Sequence, residues 1–249
     1  MTSRTRAPLA LVLASVLLAG LVGCAQSVDP IERLGKKAAQ RVRTPEPDAV
    51  SYGRWGLAGP LAPPPRPPAR PAVRVGRRGL PPVVDRVPTR ERVVFLTYGD
   101  GAERDPRFTE MVRELRLPVT LFLTDRVAGP GYGQLARLRS AGASVENNTL
   151  DHTSLRGLPY AGQRAEICGQ QEKLRQRFGV RPRLLRPPYG TYDETTLRAA
   201  ADCGVDALVL WRDPHRLHPG DIIRHHPTPR LLHHIQRQGF TVARLEDYL

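Results

Sequence analysis

Hydrophobic positions along the chain fall into two regimes that meet near residue 91. Beyond it, short apolar runs alternate with longer amphipathic stretches. Val93–Thr97, Val119–Leu123, Ala143–Glu146, Leu184–Arg186, Ala207–Trp211, Asp221–His225 and Phe240–Arg244 predict seven strands. Pro106–Leu115, Tyr132–Ala141, Gly162–Phe178, Tyr192–Cys203 and Thr228–Gln238 predict helices, four of them stopped by Gly142, Gly179, Gly204 and Gly239. Strands alternating with helices imply parallel βα units. The expected fold is therefore α/β, a compact (β/α) barrel, complete or incomplete, of about seven strands. Such a fold presents function at the C-terminal strand ends.

Before residue 91 the pattern is different. Arg4 and Arg6 precede an apolar run from Leu9 to Val22 that is too short, and wrongly flanked, for a membrane span. Residues 1–23 read as an export signal. Leu21-Val22-Gly23-Cys24 resembles the bacterial lipobox, which implies cleavage before Cys24 and a lipid on its sulfur. The mature protein would then sit on the outer face of the cell membrane; a plain signal peptide is the alternative. Twelve prolines fall between Pro45 and Pro88, and the run from Pro63 to Pro71 can neither pair in a sheet nor continue a helix. Residues 24–90 are expected to form a largely disordered polyproline spacer, and residues 91–249 the folded domain.

Charge sharpens this division. Of the net +14, much lies in residues 25–90, which hold 13 of the 38 Lys and Arg but 5 of the 24 Asp and Glu. A basic segment beside a membrane anchor suits anionic lipid or acidic wall polymer, and export argues against nucleic acid. Only Lys36, Lys37 and Lys173 are lysines, so compositional bias toward Arg is the competing explanation. Cys168 and Cys203 remain after Cys24, and in an exported chain an even pair implies a disulfide, with two buried thiols as the alternative. The protein is expected to be a monomer.

Candidate chemistry follows the strands. Tyr98-Gly99-Asp100-Gly101 comes after the first, Asn147 to Thr153 after the third, Arg186 to Gly190 after the fourth, Arg212-Asp213 after the fifth and His226 after the sixth. Asp100 and His152 are ligand types that hold Zn²⁺ or a similar divalent ion, but a catalytic zinc site normally has three protein ligands.

These residues carry a resemblance. Thr97-Tyr-Gly-Asp-Gly101, Asn148-Thr-Leu-Asp-His152, Arg186-Pro-Pro-Tyr189 and Pro219-Gly-Asp-Ile-Ile-Arg-His-His226 are similar, in order, to the T-F-D-D-G, H-[ST]-x-x-H, R-P-P-Y and P-G-D-I-[IV]-x-x-H motifs of polysaccharide deacetylases. That family is the NodB-homology type, carbohydrate esterase family four. The resemblance implies a metal-dependent hydrolysis of acetyl groups from peptidoglycan or chitin-like glycans. It assigns Asp100 and His152 to a divalent metal, zinc by expectation, with Asn148 as a weak third ligand. It gives the backbone at Tyr189 to the oxyanion, Arg186 to orienting the base, and His226 to protonating the leaving amine.

The chain departs from the motifs at two positions. Gly99 stands at the general-base position and has no side chain, and Asn148 replaces a metal-binding histidine with a neutral amide. A positioned base is worth roughly 10²–10⁴ in rate. Even a contact behind a metal ligand is worth about 10–100-fold. The expected activity is therefore impaired, and the alternative function is a catalytically inactive glycan-binding or envelope scaffold module. Asp151 and Glu146 are the carboxylates that could substitute; Glu146 reads better as a structural hydrogen-bond partner. His215, His218, His233 and His234 read as surface or capping residues, Tyr98 as barrel packing, and Trp211 as core or a sugar-stacking ring.

Overall fold

The computed structural model describes residues 49–73, 79–99, 101, 105–213, 215–225 and 228–249, without the side chains of residues 49–51 and 130. These belong to one compact unit from Glu46 to Leu249. The export signal and Cys24 lie outside the described residues, as do Asp100 and His226.

The described strands are β1 (Val83–Val84), β2 (Val93–Tyr98), β3 (Val119–Leu123), β4 (Ser144–Asn147), β5 (Leu184–Leu185), β6 (Ala207–Val209), β7 (Ile222–Ile223) and β8 (Thr241–Val242). All ladders are parallel, in the order β1-β6-β5-β4-β3-β2-β7, with β8 also against β2. The sheet curls until its edges meet through isolated bridges, Arg86 with Asp221 and Arg212 with Ile223. The barrel is incomplete: single bridges stand where a closing ladder would be.

Helices α1 (Ala49–Arg54), α2 (Pro106–Leu115), α3 (Asp125–Ala128), α4 (Tyr132–Ser140), α5 (Tyr160–Phe178), α6 (Glu194–Asp202) and α7 (Pro229–Arg237) complete the described elements. Their ends follow capping chemistry. Asp105 accepts from the Arg107 N–H before α2, Asp193 and Thr196 form a reciprocal capping box on α6, and Thr228 caps α7 ahead of Pro229.

Alternation along the strands divides the core. Val93, Phe95, Phe122, Leu184, Val209 and Ile222 fill the inside of the curl, a cluster without any α-helix side chain. Val94, Leu96, Leu121, Leu123, Val145 and Ile223 face the helices and meet Phe108, Leu135 and Leu232. Cys168 on α5 is bonded to Cys203 at the end of α6, with Cα atoms 5.1 Å apart, so the expected disulfide is present.

Two expectations need correction. The domain begins before residue 91. Val83 and Val84 pair with β6, and Trp55, 2% exposed, is a core residue whose Nε1 donates to Glu114 on α2 at 2.7 Å. The Pro-rich stretch is a strap on the domain's surface. The Gln236 side chain clasps the Ala58 N–H and the Gly59 carbonyl, Leu61 packs on the helix-side core, and the Ala72 N–H reaches the Tyr248 carbonyl at 2.8 Å. A polyproline-like chain makes no internal hydrogen bonds, so side chains of the domain can supply them. Second, the strands expected at Ala207–Trp211 and Asp221–His225 stop at Val209 and Ile223. The residues beyond leave the ladder and form the rim.

Candidate functional site

The inward-facing row of each strand continues into the rim at intervals of two. Phe95 and Thr97 lead to Gly99, Glu146 to Asn148, Leu184 to Arg186, Val209 to Trp211, and Ile222 to Arg224. All five end residues line one cleft of about 460 Å³, together with Tyr98, Val127, His152, Pro187 and Tyr189. The site is thus the mouth of the barrel interior. Tyr98, out of phase with this row, turns to the helix side, its ring 5.5 Å from that of Phe108. It does not pack inside the barrel as expected.

Arg186 is the centre of the cleft's wall and is 3% exposed. Its Nη2 donates to Thr97 Oγ1 at 2.7 Å, and Thr97 donates on to the Ile223 carbonyl at 2.9 Å. The guanidinium lies 4.0 Å over the Phe122 ring and 5.5 Å from Trp211. Its Nε and Nη1 are sealed from water and have no acceptor among the described residues. Burial, and then the charge of Arg224, pushes its pKa down to about 9. Arg224 stacks on Trp211 at 4.1 Å.

The loop carrying Asn148 and His152 is held firmly. Its N–H groups at Leu150 and Asp151 donate to the Glu166 carboxylate at 3.1 and 3.0 Å, Thr149 N–H donates to Asn147 Oδ1 at 2.7 Å, and Thr124 holds the Asn148 carbonyl. Thr149, His152 and Tyr189 all have positive φ, an arrangement costing about 1–3 kcal/mol each that the surroundings impose. The His152 and Tyr189 rings meet edge to face at 4.9 Å, and Tyr189 is 67% exposed. Asp151 is exposed beyond the cleft.

Glu146 is buried below this mouth. Its carboxyl accepts from the Arg183 and Leu184 N–H groups at 2.8 and 2.7 Å. Burial, with the charge of Glu246 adding, pushes its pKa up to about 8. It ties β4 to β5, the structural role expected of it, and is not in the cleft.

Of the residues that the resemblance assigns to a metal, Asn148 and His152 are described, and they share the cleft as one neutral amide and one imidazole. Among the described residues no three His, Cys, Asp or Glu side chains converge. Sequence reasoning missed Arg224, although it is two residues past Ile222 on the inner face. The Asp213 carboxylate lies 3.1 Å from Nε2 of His225, the residue before His226. His218 is exposed and its N–H donates to the buried Asp221 carboxylate, which also holds Arg86 at 2.7 Å.

A parallel, curled α/β sheet with its cleft at the strand ends is the class these observations define. Residues 86–208 match the polysaccharide deacetylase family. An uncharacterised protein of Streptomyces coelicolor is 64% identical over 198 residues, 70% of this chain and 79% of that one. A peptidoglycan-N-acetylglucosamine deacetylase of Bacillus cereus is 26% identical over 117 residues, 46% of this chain and 42% of that one. A carbohydrate esterase family four pseudoenzyme from Bacillus anthracis superposes with a TM-score of 0.60 at 20% identity, covering 68% of this chain and 69% of that one, a likeness of fold. The chain therefore carries a polysaccharide deacetylase domain.

Proposed function

We propose that this is an exported, lipid-anchored member of the family that engages cell-wall glycan with impaired or absent deacetylase activity. One observation carries the reading: Gly99 and Asn148 stand in the cleft beside a buried Arg186 that has kept its place. The support for catalysis persists while two groups that would perform it are gone. No described carboxylate lines the cleft to take a proton from water. Asp151 is exposed and Glu146 is bonded to backbone, so neither supplies one.

Acetate release from an N-acetylglucosamine oligomer, with zinc supplied, tests this. The wild-type protein should release acetate at background rate, and Gly99→Asp with Asn148→His should raise the rate at least tenfold. Gly99 accepts a Cβ with nothing within 4 Å, so the first substitution meets no steric obstacle. Strong release by the wild type that Asp100→Ala abolishes would overturn the reading. The exposed Tyr189 and the partly exposed Trp211 favour glycan binding as the function that remains.

A further inference from the structure

We propose that Glu166 is a positioning residue of the cleft: its carboxylate sets the step from Asp151 to His152, and with it the aromatic edge offered to glycan. This rests on the reading that the cleft takes glycan, and it adds what keeps the gripping edge in shape.

The loop after β4 runs against its own backbone preference. Thr149 and His152 have φ of 69° and 58°, a left-handed conformation that persists only where the surroundings impose it. Its near end is seated on strand ends. The Asn148 N–H donates to the Leu123 carbonyl at 3.0 Å, and Thr124 Oγ1 donates to the Asn148 carbonyl at 2.9 Å. Its far end is tied to the loop after Tyr189. Ser154 Oγ lies 3.1 Å from Thr191 Oγ1, and the Gly157 N–H donates to Asp193 at 3.2 Å. Between these ends, Glu166 Oε2 on α5 accepts from two successive N–H groups, Leu150 at 3.1 Å and Asp151 at 3.0 Å. Leu150 has further ties: it also donates to the Glu166 carbonyl, and its own carbonyl accepts from the Arg126 N–H. The Asp151 N–H has no second acceptor among the described residues. The Glu166 carboxylate therefore governs the peptide one residue before His152.

That peptide carries cleft surface. His152 lines the cleft, and its ring meets Tyr189 edge to face at 4.9 Å. Tyr189 stands in a turn closed by its own backbone, with Gly190 N–H on the Pro187 carbonyl and Thr191 N–H on the Pro188 carbonyl. Losing the Glu166 carboxylate frees His152 and leaves Tyr189 in place, so the edge opens. Glu166 is itself well fixed. Cys168, two residues on, is bonded to Cys203, and the flanking stretch of α5 is held on the strand ends by Asn147 Nδ2 to the Ile167 carbonyl at 2.9 Å and Gln170 Nε2 to the Leu123 carbonyl at 2.6 Å. A group on a rigid helix places a strained loop more precisely than the loop places itself.

Calorimetric titration of the full-length protein with the N-acetylglucosamine tetramer tests this, at a temperature where circular dichroism shows each variant folded. Glu166→Ala should bind about fivefold more weakly than wild type, the order that one lost hydrogen bond supports. Glu166→Gln keeps an acceptor oxygen at the same reach and should restore wild-type affinity. Glu166→Asp keeps the charge but withdraws it by one methylene; it should bind as the alanine variant does, and it carries the test if Glu166→Ala does not fold. Glu172→Ala, which loses a carboxylate bonded to Arg175 and Gln176 on the same helix, should bind as wild type. A nuclear Overhauser contact between the His152 and Tyr189 rings is a second readout that needs no glycan: present in wild type and Glu166→Gln, lost in Glu166→Ala and Glu166→Asp. Wild-type affinity in the alanine or aspartate variant, or a glutamine variant as weak as alanine, overturns the proposal. Absence of binding by the wild type overturns the glycan reading, and the ring contact then decides the role of Glu166: its persistence in Glu166→Ala or Glu166→Asp overturns that role too.

Discussion

Glu146 shows how a single residue can contribute through burial rather than chemistry. Its folded pKa of about 8 is above the 4.5 of an exposed glutamate. Below pH 4.5 both folded and unfolded forms hold the proton, and its contribution to stability is complete. Between pH 4.5 and about 8 the unfolded chain releases the proton while the folded chain keeps it, so stability falls as pH rises, by up to about 1.4 kcal/mol per pH unit. Glu146→Gln should flatten that slope, measured as the difference in urea midpoint between pH 5 and pH 8 for wild type and variant. An unchanged slope would assign the pH dependence elsewhere. At this scale the candidate site was partly legible. Gly99, Asn148, His152, Arg186 and Tyr189 were found by motif order and share the cleft. Arg224 was not, because it was read inside an expected strand, and the in-phase step from Ile222 was the signal that went unused.

At the scale of elements, the βα order was legible because inner and helix-side apolar residues alternate with a clear period. Short strands at the edge were not. Val83–Val84 has only two residues and follows Pro81-Pro82, so it carries no periodicity to read. The disulfide joins two helices on either side of the Arg186 strand. It closes a loop of sequence separation 35, worth about 3–4 kcal/mol by the loop-entropy estimate. Replacing Cys168 and Cys203 by serine should lower the unfolding free energy by that order, read by chemical denaturation. The variant matching the oxidised wild type would show that helix packing alone fixes α5 against α6.

For the whole molecule, the strap changes what counts as the domain. Sequence pattern placed its start at residue 91, because proline-rich composition hid the anchors at Trp55, Leu57 and Val84. Those anchors bury apolar surface on the helix-side and inner cores, and losing a buried Trp alone costs about 3–5 kcal/mol. A chain beginning at residue 91 should therefore melt at least 10 °C below one beginning at residue 49, by circular dichroism. Equal melting temperatures would return the strap to the role of a spacer.

The open space at Gly99 has a consequence for heredity. A glycine codon of the GGC or GGT type becomes an aspartate codon by one base change, and nothing within 4 Å of the new Cβ resists it. The Arg186 guanidinium, which lines the same cleft, is already fixed by Thr97. At this position a single nucleotide separates a cleft wall without a side chain from one that carries a carboxylate, and the fold sets no steric barrier to the change.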